Sequence, residues 1–276
     1  MSTTATRTTV LATEGLCVRY GGVRALDQVN LEVHAGQLVG LIGANGAGKT
    51  TFIDAITGFT GAQGRVTLGG HDIGGLAPHR RAIRGLARTW QSTELFDDLT
   101  VSENLAVACG LPTARRLLTG LIRARAYVDP RVAESLALLD LGTLCDQLPT
   151  SLSLGQRKLV GVARALVAQP MLLCLDEPAA GLDARESRVL GGRLRQLVDG
   201  GITTLLIDHD MNLVLSVCDY VYVLDFGQVI AHGTPQEIRV NEAVIQAHLG
   251  RPGSPAVSDD VIEEAEGLGE VTGAQP

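Results

Sequence analysis

Apolar and polar residues alternate along the first part of the chain, and short continuous apolar runs follow. The alternation over residues 10–37, interrupted at Gly21-Gly22, predicts antiparallel strands joined by a turn. The run LVGLI at 38–42 predicts a strand buried on both faces, as in a parallel sheet. From about residue 79 to 168 the periodicity favours helices, with weak strand signal.

Buried-strand patterns return in the last third of the chain. MLLCLD (171–176) and ITTLLID (202–208) are apolar runs, and a helical stretch capped by Asp183 separates them. Strands that alternate with helices imply a parallel sheet, whereas 220–233 predicts an antiparallel hairpin. The sequence therefore predicts an α/β protein with a mostly parallel core sheet, an antiparallel β subdomain and a helical subdomain inserted at about residues 92–168.

Composition limits the possible functions. The 276 residues are 45% hydrophobic and 3% aromatic, which fits an ordinary α/β protein. The net charge of −7 argues against a nucleic-acid partner, because nucleic-acid binders normally carry a basic face. Residues 251–276 hold one arginine against six acidic residues, so we expect an acidic, disordered tail that serves solubility, with a regulatory role as the alternative.

Cysteine usage and hydropathy point to a cytosolic protein without its own membrane anchor. The five cysteines form no CxxC pair, and the chain shows no signal-peptide pattern, so we expect reduced thiols. No uncharged apolar stretch approaches the ~18–20 residues that cross a bilayer. A role at a membrane would therefore require a membrane-spanning partner.

The segment GANGAGKT (43–50) matches the phosphate-loop pattern between a predicted buried strand and a helix. Its glycines let backbone N–H groups close around phosphates at the positive end of the helix. Lys49 is expected to reach the β- and γ-phosphates of a nucleotide, and Thr50 to offer its hydroxyl to Mg²⁺. The candidate nucleotide-binding residues here are Gly43, Asn45, Gly46, Gly48, Lys49, Thr50 and Thr51.

The segment LLCLDEP (172–178) supplies two adjacent carboxylates at the end of a strand. Asp176 is expected beside the phosphate loop, where it can hold Mg²⁺. Glu177 is a candidate to orient or deprotonate the attacking water. An alternative is that the pair only caps a helix.

A second helix start, SLSLGQRK (151–158), also has the chemistry of an anion site. Ser153 is a predicted N-cap, and Gly155 leaves the backbone bare, so hydroxyl, N–H groups and helix dipole could face an anion. Since the phosphate loop already holds this chain's nucleotide, we expect the second site to close over a nucleotide held by another subunit. The alternative is an ordinary capped helix.

Several features occur in the order and spacing of one protein family: GANGAGKT, then Gln91, LSLGQ, LLCLDEP, GLD and His209. Together they resemble the ATP-binding subunits of ABC transporters. The resemblance covers about residues 8–250 and implies a phosphate-loop ATPase fold.

The resemblance also implies roles for individual residues. Tyr20 would stack on adenine, and Gln91 would contact Mg²⁺ and water while sensing the membrane partner. Glu177 would be the general base, Asp183 would couple two sites across a dimer, and His209 would contact the γ-phosphate.

In the same family, the signature that clamps ATP on the opposite subunit would be formed here by Ser153, Gly155 and Gln156. Two positions depart from the common pattern: Leu154 stands where many members have Gly, and Ala44 where Pro is common. Backbone groups do the binding at both positions, so we expect slight effects.

Finer patterns at 79–108, 176–183, 207–238 and 244–250 resemble the ATPase subunits of branched-chain amino-acid importers, with Trp90 where the related subunit has Phe. Urea and amide importers share much of this pattern. The resemblance implies a peripheral subunit at the cytoplasmic face of the membrane, which works with membrane-spanning permease subunits. It would form a homo- or heterodimer with a second ATP-binding subunit, and an extracytoplasmic solute-binding protein would be an indirect partner. The alternatives are an exporter ATPase and a soluble ABC protein of translation or DNA repair, which usually has two cassettes or a coiled-coil insertion.

Overall fold

The computed structural model describes residues 8–90, 94–109 and 129–249. Gln91 and the acidic tail at 251–276 lie outside this part of the chain. Within it, no helix is long and apolar enough to cross a membrane.

The strands form two sheets. They are β1 (Thr9–Tyr20), β2 (Val23–His34), β3 (Leu38–Ile42), β4 (Gln63–Leu68), β5 (His71–Asp72), β6 (Leu86–Arg88), β7 (Leu172–Asp176), β8 (Thr204–Ile207), β9 (Tyr220–Asp225) and β10 (Gln228–Gly233). The smaller sheet has the order β2-β1-β4-β5 and is antiparallel. The larger has the order β10-β9-β3-β8-β7-β6 and is parallel except for β10. The prediction of a mostly parallel core with a separate antiparallel sheet is confirmed.

The helices flank the larger sheet and fill the region between β6 and β7. They are α1 (Lys49–Thr57), α2 (Pro78–Ile83), α3 (Val101–Ala108), α4 (Pro130–Leu138), α5 (Leu154–Leu166), α6 (Ala184–Asp199), α7 (Met211–Val217), α8 (Pro235–Arg239) and α9 (Glu242–Leu249), with short 3₁₀ turns at Gly142–Leu144 and Pro149–Ser151.

Alternating side chains of the central strands define two hydrophobic layers. Val39 and Leu41 of β3 belong to the layer that holds Phe52 of α1 and the antiparallel sheet. Leu38 and Ile42 belong to the opposite layer, which holds the apolar face of α5. The helix after the phosphate loop and the helix that begins at Ser153 therefore lie on opposite faces of the larger sheet.

Two local features differ from the sequence-based expectation. The short strand β6 lies within the stretch expected to be helical, because it pairs in parallel with β7. The segment VDPRVAESLALLDLG (128–142) predicts a helix capped by Asp129 that stops at Gly142; the helix α4 ends at Leu138 instead, since Asp140 takes a left-handed φ of 56°. There the N–H of Leu141 donates to the carbonyl of Leu136 at 2.8 Å, closing a Schellman motif whose two leucines are both buried.

Candidate nucleotide-binding site

The phosphate loop connects the carboxyl end of β3 to the first residue of α1. Gly48 has a φ of 108°, and a Cβ atom there would lie 2.6 Å from the carbonyl oxygen of Ala25, so only glycine fits. Asn45, Gly46 and Thr50 are exposed at the rim of the loop, while Gly43 is buried and Gly48 and Thr51 are half-buried. The loop therefore presents bare backbone to a ligand.

Lys49 is buried inside this loop, where its Nζ donates to the carbonyl oxygens of Gly43 at 2.6 Å and Ala44 at 3.1 Å. Burial lowers the pKa of Lys49, and the charges of Glu177, Asp208 and Asp176 oppose that shift. Because burial disfavours the cation, a phosphate in the loop would be a strong counter-charge for it.

Asp176 ends β7, and its buried carboxylate accepts a hydrogen bond from Nη2 of Arg88 at 2.8 Å. Burial raises the pKa of Asp176, Arg88 lowers it, and the charges of Glu177 and Asp54 raise it further. A divalent cation beside this carboxylate would favour its charged form in the same way as Arg88.

Glu177 follows at once and occupies a strained position for a residue with a side chain, with a φ of 45°. Its N–H donates to the carbonyl of Ile207 at 2.7 Å, which joins the ends of β7 and β8. Its carboxylate is 3.7 Å from Nδ1 of His209. The structure thus brings the predicted base and the predicted γ-phosphate contact together.

Asp208, at the end of β8, supports this pair. Its carboxylate is fully buried and accepts N–H groups from His209 at 2.8 Å, Asp210 at 3.0 Å and Ala179 at 3.3 Å. Burial raises the pKa of Asp208, and these backbone hydrogen bonds lower it. Asp208 therefore connects the loop after β7 to the loop after β8.

Thr50 and Asp176 fit a Mg²⁺ ion that arrives with a nucleotide. Such an ion usually takes one or two protein ligands, together with phosphate oxygens and water. The exposed hydroxyl of Thr50 and the desolvated carboxylate of Asp176 are donors of this kind. Within 8–90, 94–109 and 129–249 there is no cluster of three or more His, Cys, Asp or Glu side chains that could hold a metal by itself.

The predicted second anion site lies at the start of α5. Ser153 is the N-cap and forms a capping box with Gln156: its hydroxyl accepts the N–H of Gln156, whose side chain accepts the N–H of Ser153 at 2.9 Å. Leu154 is 43% exposed, and a Cβ atom at Gly155 would lie 3.3 Å from Oε1 of Glu186. The cap predicted from sequence is confirmed, and the helix start is exposed. Binding of an anion there stays a prediction.

Tyr20 and Asp183 form hydrogen bonds with groups outside the carboxylate cluster. The Tyr20 ring is 52% exposed, and its hydroxyl donates to Oγ1 of Thr60 at 3.1 Å. Asp183 caps α6 by accepting the N–H groups of Arg185 and Glu186, both at 2.8 Å. Stacking on adenine by Tyr20 and coupling across a dimer by Asp183 stay predictions.

Arg88 and Asp208 are site residues that sequence reasoning missed. Asp208 ends an apolar run as Asp176 does, and that shared pattern could have identified it. Arg88 carries no such signal, because its part in the site arises from the pairing of β6 with β7. Arg88 and Trp90 also line a cleft of about 310 Å³ whose other walls include Phe96, Lys158 and Arg164.

Comparisons with known proteins agree with this geometry. A family model described as ABC transporter matches residues 26–180, and one described as branched-chain amino acid ATP-binding cassette transporter matches 228–253. The high-affinity branched-chain amino acid transport ATP-binding protein BraF of Pseudomonas aeruginosa is 39% identical over 251 residues, covering 87% of this chain and 98% of that protein.

Two other relatives show the range of the similarity. The lipopolysaccharide export system ATP-binding protein LptB of Haemophilus influenzae is 35% identical over 242 residues, covering 87% of this chain and 97% of that protein. The solved structure of an ATP-binding cassette of an ABC transporter in its ADP conformation matches with a TM-score of 0.74 at 31% identity, covering 88% of this chain and 99% of that one. With its motifs in family order on the matching fold, this chain belongs to the ATP-binding subunits of ABC transporters, which couple ATP hydrolysis to transport.

Proposed function

We propose that this protein powers the import of branched-chain amino acids from the cytoplasmic face of the membrane, through separate permease subunits. The observation that carries the solute assignment is the match of residues 228–253 to the branched-chain amino acid cassette model. The similarity to BraF over nearly its whole length supports the same assignment.

The carboxylate cluster supports hydrolysis with Glu177 as general base. A water molecule attacks the γ-phosphorus of ATP, its proton passes to Glu177, and the bond to the β-phosphate oxygen breaks to give ADP and phosphate. The 2.7 Å hydrogen bond from the Glu177 N–H to the carbonyl of Ile207 holds the main chain from which that carboxylate extends. His209, 3.7 Å away and half-exposed, is placed to contact the γ-phosphate.

Lys49 would neutralise the β- and γ-phosphates from inside the loop. Mg²⁺, held by Thr50 and Asp176, would supply further neutralisation of the phosphate oxygens when bound. In the family, Gln91 would be a third contact to the metal and to the water.

We further infer that the active unit is a head-to-tail dimer of cassettes. The first residue of α1 and the start of α5 belong to helices on opposite faces of the larger sheet. One nucleotide is then best contacted by Lys49 of one subunit together with Ser153, Gly155 and Gln156 of another. The partner is a second ATP-binding subunit, either another copy or a related chain.

Permease subunits would dock at the cleft beside Trp90. The cleft combines apolar side chains such as Phe96 and Val107 with the basic side chains of Lys158 and Arg164. It lies next to position 91, where the family senses its membrane partner. An extracytoplasmic solute-binding protein would then act indirectly, by delivering solute to the permease.

Two other assignments use the same ATPase. The similarity to LptB favours an export system as the second candidate, because hydrolysis chemistry does not fix direction. A urea or amide importer is the third. Each candidate function predicts the loss of a different transport activity when the coding sequence is deleted.

Deleting the coding sequence in its own organism distinguishes these candidates. We expect loss of radiolabelled leucine, isoleucine and valine uptake, unchanged urea uptake, and rescue by the wild-type chain but not by Glu177→Gln. Loss of urea uptake alone would support the amide assignment. Unchanged uptake of all these solutes would contradict import.

A further inference from the structure

Arg88 joins the proposed metal site to the wall of the cleft. It is the last residue of β6, and its side chain is only 7% exposed. Nη2 of Arg88 is 2.8 Å from Asp176, and Nη1 is 2.5 Å from Asp54 on α1. One guanidinium therefore bridges the carboxylate at the end of β7 and a carboxylate on the helix that follows the phosphate loop.

The bridge orients the carboxylate of Asp176. Nη2 of Arg88 lies 2.8 Å from Oδ2 of Asp176, so Oδ1 is the oxygen that this arrangement offers to a metal ion. The guanidinium also lies between two carboxylates, those of Asp176 and Asp54, and its charge offsets their mutual repulsion.

The face of the same guanidinium stacks on Trp90. The Arg88 Cζ atom is 4.3 Å from the centre of the Trp90 ring, and the ring of Phe59 packs edge-on against Trp90 with centres 5.0 Å apart. Trp90 is half-exposed and lines the cleft beside Arg88. The side chain of Arg88 therefore lies between the Asp176 carboxylate, which is proposed to bind Mg²⁺, and the wall of the cleft.

Arg88 is not fully satisfied in this arrangement. Its Nε is buried and has no hydrogen-bond partner among the residues that the structure describes. A cation that binds the other oxygen of Asp176 would repel the guanidinium. Movement of Arg88 away from Asp176 would break or shift its stack with Trp90.

We propose that Arg88 is a positioning residue that orients Asp176 for Mg²⁺ and transmits occupancy of the metal site to Trp90. The proposal rests on the Mg²⁺–ATP site of the proposed function. Since coupling between two sites is reciprocal, whatever docks against Trp90 would change the affinity for Mg²⁺ by the same factor.

Trp90 is the only tryptophan of the chain, so its fluorescence reports this position alone. The full-length protein is saturated with a non-hydrolysable ATP analogue in EDTA and then titrated with Mg²⁺. We expect a saturable change in Trp90 emission. An emission that does not respond to Mg²⁺ in the wild-type protein would overturn the proposal without any substitution.

Arg88→Lys keeps a positive charge but loses the two-pronged bridge and the flat face that stacks. We expect it to lower Mg²⁺ affinity about 10–100-fold, as loss of a group that supports a metal ligand does, and to abolish the emission change. Affinity for the analogue in EDTA should stay at the wild-type value. Arg65→Lys is the matched control, because Arg65 is exposed on β4 and pairs loosely with Glu14 and Asp72.

Asp54→Asn separates this role from a merely structural one. It removes one end of the bridge and leaves Asp176, Arg88 and the stack on Trp90, so we expect it to keep the emission change. If Asp54→Asn and Arg88→Lys lost the Mg²⁺-dependent emission change equally, the role of Arg88 would be only to hold α1 against β6. An emission change that persists in Arg88→Lys would assign the response to position 91 instead and overturn the proposal.

Failure of the underlying function gives a different result. If the wild-type protein did not bind the analogue at all, the ATP site itself would be wrong. If it bound the analogue and Mg²⁺ normally but Trp90 did not respond, only the role of Arg88 would fail.

Discussion

At the scale of single residues, the site gathers negative charge around both lysines of the chain. Lys49 and Lys158 are buried, and burial lowers the pKa of each, while the charges of Glu177 and Asp208 oppose both shifts. The carboxylate of Asp208 accepts hydrogen bonds from backbone N–H groups, and the carboxylate of Asp176 is paired with Arg88. The carboxylate of Glu177 lies 3.7 Å from Nδ1 of His209. Since Asp176 is expected to hold Mg²⁺ and Asp208 accepts backbone N–H groups, Glu177 is the carboxylate that we expect to take the proton.

Glu177→Gln should abolish turnover while ATP binding stays intact, because the amide keeps the shape of the side chain but cannot accept the proton of water. We expect a loss in kcat of at least about 100-fold, the lower end of the effect of a positioned base. Steady-state phosphate release and equilibrium binding of ATP measure the two quantities.

The matched control is Glu14→Gln, which makes the same change on the exposed side of β1. It should leave both quantities unchanged. Hydrolysis near the wild-type rate in Glu177→Gln would remove this residue from the role of base.

Sequence could predict Asp176 and Glu177, because a carboxylate after a buried strand has a defined place at the carboxyl edge of a parallel sheet. The same rule applies to Asp208, which follows a buried strand in the same way. The resemblance to the family assigns a role only to its neighbour His209. Arg88 could not be predicted this way. Its two carboxylate partners come from positions 34 and 88 residues away in sequence.

At the scale of elements, helix starts are where local sequence and structure agree best. Thr100, Ser153 and Thr234 each form a capping box with a Glu or Gln three residues on. Helix ends and short strands agree less well: α4 stops at a left-handed Asp140 and not at a glycine, and β6 exists only because β7 pairs with it. Caps depend on four consecutive residues, whereas β6 depends on a partner more than eighty residues away.

The caps of α5 and α8 offer a matched pair that separates stability from function. Thr234→Ala and Ser153→Ala each remove the hydroxyl of a capping box, and each should cost about 1 kcal/mol of the free energy of unfolding. Ser153→Ala should in addition lower ATP hydrolysis, because its hydroxyl is also expected to contact a nucleotide on the partner subunit.

Urea unfolding and steady-state ATPase assays measure the two effects. Thr234→Ala should retain wild-type hydrolysis at a temperature where both variants are folded. Equal ATPase activity in the two variants would mean that Ser153 serves only as a helix cap.

At the scale of the whole molecule, the larger sheet separates the helix that follows the phosphate loop from the helix capped by Ser153, because the two helices pack in different hydrophobic layers. Phe52, Ile53 and Ile56 anchor α1 in the layer shared with the antiparallel sheet. Val160, Ala163 and Leu166 anchor α5 in the layer shared with α3 and α4. In the proposed dimer a nucleotide bound at Lys49 would bridge two subunits. Its hydrolysis would remove the bridge, and the opening of the dimer would then be passed to docked membrane helices.

Ser153→Arg tests this arrangement by filling the second anion site with a bulky cation. The monomer should bind ATP nearly as the wild type does, because Lys49 and its loop are unchanged. ATP-dependent dimer formation and turnover should both be lost. Lys49→Ala should also lose turnover, but through weaker ATP binding, because it removes the positive charge that balances the phosphates.

Mixing the two inactive variants should restore one composite site in each mixed dimer, built from the loop of the Ser153→Arg subunit and the helix start of the Lys49→Ala subunit. Size-exclusion chromatography with ATP and phosphate-release assays would detect mixed dimers and their activity, with the wild-type chain alone as reference. No activity in a mixture that does dimerise would mean that one composite site is insufficient. Loss of ATP binding by the isolated Ser153→Arg monomer would show that both motifs serve one nucleotide within one chain, which would contradict the dimer.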